Sequence, residues 1–116
     1  MLVEVDESSP VPLYVQIAAS VRHAIAEGRI TPGTRLPASR DLAEELDVNV
    51  HTVQRAYGEL RDEGLLQLRQ GRGAIVGSGE VRGRARLHGL VRALLDEARD
   101  QGVSVRELQE LMEGMS

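Results

Sequence analysis

The chain contains no cysteine, no lysine, no tryptophan and no phenylalanine, and only two tyrosines among its 116 residues. Without cysteine there is no disulfide framework and no thiolate metal site. Without lysine there is no amine to hold pyridoxal phosphate as a Schiff base. With two rings in all, the core must be built from Leu, Val, Ile and Ala. No segment reaches the apolar length of a membrane span. The acidic opening, Met1 to Pro10, lacks the basic-then-apolar form of a signal peptide. A cytoplasmic protein with no membrane partner is expected.

Hydrophobic residues make up 41% of the sequence, enough for a packed core, and the length suits one small domain with an appendage. The net charge is −4 but uneven. Residues 1–64 carry −5, residues 65–92 carry +5 and residues 93–116 carry −4. Because exposed charges further apart than roughly 8 Å are largely screened at physiological salt, the basic middle can still meet phosphate.

Pro10-Val11-Pro12 opens a first helix, in which Leu13, Ile17, Val21, Ala24 and Ile25 fall on one stripe and Gly28 is the stop. Pro32-Gly33 makes a turn, with a short strand after it. A second helix is predicted over Ser39 to Leu46, burying Leu42, Ala43 and Leu46. After the turn Asp47-Val48-Asn49, with Asn49 as N-cap, a third helix buries Val50, Val53, Tyr57 and Leu60 and ends at Gly64. Leu65 to Arg69, Gln70 to Gly73 and Ala74 to Val76 follow as strand, turn and strand. Gly77-Ser78-Gly79 is a flexible joint. Beyond it lie a helical stripe, Leu87 to Ala98, a break at Gln101-Gly102, and a Ser104-x-x-Glu107 capping box opening a last helix with Leu108, Leu111, Met112 and Met115 inward.

The expected fold is therefore mainly α with a small β-hairpin. A winged helix-turn-helix DNA-binding domain occupies residues 1–79 and a two-helix dimerisation hairpin residues 80–116. In such a unit the second helix of the pair enters the major groove, and its first residues reach base edges. The candidates there are His51, Thr52, Gln54 and Arg55, although the pattern alone fits a solvated surface helix equally well. Arg69 and Arg72, flanking Gly71 on the hairpin tip, suit a wing on the phosphate backbone or minor groove. Arg82, Arg84 and Arg86 are better read as solubilising the start of a helix than as DNA contacts. A dinucleotide loop is excluded at Gly71-x-Gly73, since a strand follows rather than a helix. His23, His51 and His88 lack ligand spacing, so no metal, no cofactor and no catalytic residues are expected.

These segments resemble the GntR family of bacterial transcription regulators. The resemblance is carried by Pro12-Leu13-Tyr14-Val15-Gln16-Ile17, by Ile30 to Ala43, by Val48 to Tyr57, by Glu63-Gly64-Leu65 and by Gly71-Arg72-Gly73. It implies a DNA-contacting role for Arg40, a backbone-contacting role for Thr52 and a wing-tip role for Gly71. Many members have Arg where this chain has Val50, and Asn or Thr where it has His51, so base readout must use other side chains. The short tail resembles the YtrA-type subfamily, which implies a dimer. Leu87, Leu90, Val91, Leu94 and Leu95, facing Leu108, Leu111 and Met112, are its expected seam. A dimeric repressor on a palindromic operator follows, controlling its own operon and a transporter operon, with an effector the sequence does not name. The alternative is a winged helix used only for protein contacts.

Overall fold

The computed structural model describes residues 3–69 and 73–116. Helix α1 (Leu13–Ala26) leads through a turn to strand β1 (Arg35–Leu36). Helices α2 (Ser39–Leu46) and α3 (Val50–Asp62) follow, then strands β2 (Leu66–Arg69) and β3 (Gly73–Val76). Helices α4 (Val81–Asp100) and α5 (Val105–Met115) complete the chain. The core lies where α1, α2 and α3 converge on the sheet. It is aliphatic, with Ile17, Val21, Ile25, Val53, Leu60, Leu65 and Val76 almost fully buried. This is a winged helix-turn-helix with C-terminal helices.

Local chemistry sets the helix ends as expected. Asn49 accepts a hydrogen bond from the His51 amide at 2.8 Å and so caps α3. The far end of α3 closes on Gly64, whose φ of +79° favours glycine. There the Leu65 amide donates to the Leu60 carbonyl and the Gly64 amide to the Arg61 carbonyl, both at 2.9 Å. Ser104 and Glu107 form the complete capping box at the start of α5. Between α2 and α3, Asp47 takes the left-handed conformation with φ of 56°.

Four features differ from the sequence reading. The sheet has three strands in the order β1-β3-β2, all antiparallel, so the hairpin is extended by the short strand after Pro32-Gly33. Leu46 and Val50 are half-buried rather than buried. The third difference concerns α4, which begins at Val81, one residue beyond the Gly77-Ser78-Gly79 joint, with Glu80 as its N-cap.

Val81 and Ala85 belong to the same buried cluster as α1, and Arg82 and Arg84 reach back to main-chain carbonyls at Ala26 and Gly64. The joint therefore turns the chain without decoupling it. A cut after Gly79, the boundary drawn from sequence, would strip two buried side chains from the core. At 100° per residue, Val81, Ala85 and Gly89 face α1 while Leu87, Leu90, Val91 and Leu94 point the opposite way. All four of these stay exposed, Leu90 at 63%. The tail is also less closed than expected. Ala98 and Leu108 are buried, but Leu111, Met112 and Met115 are exposed rather than inward.

Gly73 shows how the wing is tied to the helices. Its φ is +86°, and a Cβ there would run into the Leu36 carbonyl oxygen. Gly73→Ala is expected to cost about 2 kcal/mol or more, from the left-handed backbone and the clash together. Thermal unfolding checks this, and a melting curve identical to the parent's would contradict it.

Candidate nucleic-acid interface

One open concavity of about 750 Å³ collects side chains from three separate parts of the chain. Ser39, Arg40 and Asp41 come from the first turn of α2; Val50, His51 and Gln54 come from the first turns of α3; Leu68, Arg69 and Gly73 come from the sheet. Arg40, His51, Gln54 and Arg69 are all exposed. The groove thus combines two fixed cations with a His and an amide beside the N-terminus of α3, where free backbone N–H groups favour anions. His51 Nδ1 and Gln54 Oε1 are 3.1 Å apart, so these two side chains steady one another across one turn. Val50 sits half-buried in the same wall and supplies no donor.

The floor is held by Tyr57. Its hydroxyl donates to the Pro37 carbonyl at 2.8 Å, linking the middle of α3 to the residue just before the N-cap of α2. Burial raises the Tyr57 pKa well above the usual tyrosine range, which keeps the hydroxyl protonated as that donor. Arg40 lies three residues beyond Pro37, in the first turn of α2.

Not every sequence candidate joins the groove. Arg55 lies outside it, with its guanidinium 3.8 Å from the centroid of the Tyr14 ring. That stacking is of the order of 0.5–1 kcal/mol at an exposed site, and it holds Arg55 against the start of α1. Thr52 is half-buried and does not line the groove. Gly71 and Arg72 lie outside the described residues. Arg82 donates to the Ala26 and Glu27 carbonyls at 3.0 and 3.5 Å and Arg84 to the Gly64 carbonyl at 3.2 Å, so both cap helix ends. Among the described residues no group of three or more His, Asp or Glu could hold a metal ion. None of their helices is long and apolar enough to cross a membrane. Sequence reasoning missed Ser39 and Tyr57 as groove residues; the Ser39-Arg40 pair at a helix start was the available signal.

Comparison with known proteins fits this geometry. The family model described as "Bacterial regulatory proteins, gntR family" matches residues 13–76, more than half the chain and the whole span from α1 to β3. The HTH-type transcriptional repressor YtrA of Bacillus subtilis (strain 168) is 29% identical over 120 residues, covering 99% of this chain and 92% of that protein. Among solved structures, YtrA from Sulfolobus acidocaldarius, a GntR-family transcription factor, superposes with a TM-score of 0.63 at 38% identity. It covers 82% of this chain and 99% of that one. AraR(DBD) in complex with operator ORX1 superposes with a TM-score of 0.59 at 30% identity, covering 66% of this chain and 99% of that one. The chain belongs to the gntR family of bacterial regulatory proteins, and it is a DNA-binding transcription regulator rather than an enzyme.

Proposed function

We propose that this protein is a cytoplasmic repressor that binds a palindromic operator as a homodimer, reading it through the groove between α2, α3 and the wing. The observation that carries the reading is the convergence of Arg40, His51, Gln54 and Arg69 from three distant segments on one exposed surface. His51 and Gln54 meet base edges in the major groove. Arg40 and Arg69 set the protein on the phosphates, and Gly71 and Arg72 take the same role from the sequence pattern. Arg55 and Thr52 act at the margin, Arg55 from its stack on Tyr14.

Dimerisation is supported by the two-sided character of α4. Its small-residue face covers α1, which leaves the stripe Leu87, Leu90, Val91 and Leu94 and the α5 residues Leu111 and Met112 without an intramolecular cover. Half-buried Leu95 and buried Leu108 complete that seam. An exposed apolar patch of this kind is met most simply by a two-fold axis, which also places two recognition helices on a palindrome. The repressor sense and the targets, its own operon and a transporter operon, rest on the likeness to YtrA-type regulators.

Arg40 provides the test. Arg40→Ala is expected to weaken binding to DNA from upstream of the gene and to lower the salt slope by about 1 per contact per subunit. Fluorescence anisotropy at several salt concentrations measures both. A slope equal to the parent's would remove Arg40 from the interface.

A further inference from the structure

The basic cluster after the glycine joint, assigned to solubility from sequence, is part of a longer pattern. Arg84, His88 and Arg92 are spaced by four along α4 and so form one row on its surface. Each meets the C-terminal end of α3. Arg84 donates to the Gly64 carbonyl at 3.2 Å; His88 Nδ1 lies 3.8 Å from Glu63 Oε1; and Arg92 pairs with Glu59. Glu59 lies in the last turns of α3 and Glu63 is its C-cap residue, four positions on. The row is anchored from behind by Arg22 of α1, which grips Glu63 with two hydrogen bonds of 2.8 and 2.7 Å.

We propose that this row is the register device of the regulator: it fixes the angle between recognition helix and dimer helix, and thereby the half-site spacing that the dimer accepts. The inference rests on the dimer reading above. In a two-fold dimer the seam lies on one side of α4 and this row on another. The path from one α3 to the other therefore runs twice through the packing of α4 on α1 and through this row, which is the part that grips α3 directly. Each contact grips the end of α3 remote from His51 and Gln54, so a small rotation there swings the reading end along the groove. A single half-site, by contrast, requires no fixed angle. Arg84, His88 and Arg92 are accordingly positioning residues for spacing and not DNA contacts.

The experiment uses the full chain and three duplexes, with the two half-sites at their native spacing or one base pair closer or further apart, plus a single half-site. The parent protein is expected to prefer the native spacing by about tenfold or more, since a mis-spaced second site loses its effective-concentration advantage. In Glu59→Gln with Arg92→Gln, net charge is unchanged and the preference is expected to shrink to about twofold. Single-half-site affinity stays within about twofold of the parent's. The charge swap Glu59→Arg with Arg92→Glu is expected to restore the preference, which loss of folding would not allow. A dimeric double variant that keeps the parent's spacing preference overturns the register role alone. So does a parallel fall in half-site affinity. A parent that scatters light as a monomer overturns the dimer reading, and the register role with it.

Discussion

Glu63→Ala is expected to be among the most damaging substitutions in the chain, lowering stability by about 3–5 kcal/mol. The reason is the state in which it leaves Arg22. The Arg22 side chain is only 6% exposed, and both of its carboxylate hydrogen bonds go to Glu63, whose side chain is 9% exposed. Removing the carboxylate strands a positive charge beneath α4, where the backbone of Gly89 packs near its stem. In a chain of this size the loss corresponds to a fall in Tm on the order of 10–20 °C. Replacing both partners with apolar residues, as in Arg22→Met with Glu63→Leu, is expected to recover most of the loss, because no charge is then left buried. Calorimetry of the three proteins checks this. A single variant that melts within about 3 °C of the parent would show that the ion pair is solvated in a way its burial does not indicate.

The second large effect concerns assembly. Leu90→Glu with Leu94→Glu puts two carboxylates one turn apart on the exposed stripe of α4, away from its contact with α1. Both side chains already face solvent in the single chain, so folding and Tm at low concentration are expected to change little. A dimer seam, however, would have to bury four like charges around its axis. The variant is expected to be monomeric at micromolar concentration and to bind a two-site operator about 100-fold or more weakly, because the second half-site is no longer tethered. Light scattering and anisotropy on the same sample read the two effects. A variant that remains dimeric would move the seam elsewhere, and one that is monomeric with full operator affinity would separate dimerisation from DNA binding. Charging the stripe is a cleaner route to a monomer than truncation, since Val81 and Ala85 belong to the core.

What could be read from the sequence was local. Asn49, Gly64 and the Ser104–Glu107 box announce helix ends because capping needs particular side chains within three or four residues. The stripes of α1 and α3 stand out because they bury large aliphatic residues at helical spacing. The contacts that were missed join residues far apart in sequence. Arg22 and Glu63 are 41 positions apart, and Arg82 and Ala26 are 56 apart. Two residues of β1 pair with β3 across the intervening helices, a register that no short-range pattern encodes. The face of α4 against α1 escaped notice because it is made of Val81, Ala85 and Gly89, whose small side chains give a weak periodic signal beside the leucine stripe opposite. For the site, polarity at the start of α3 pointed to His51 and Gln54. It could not reveal that Tyr14, at the head of α1, would draw Arg55 out of the groove.

DNA is expected to dock on the groove formed by the starts of α2 and α3 and the wing. The most direct measurement of this is amide shift mapping of isotope-labelled full chain, titrated with duplex DNA from upstream of its gene. The largest changes are expected in residues 38–41, 49–54 and 68–69, with residues 19–27 on the far side little affected. Changes concentrated along α1 and the outer face of α4, with the groove silent, would contradict it.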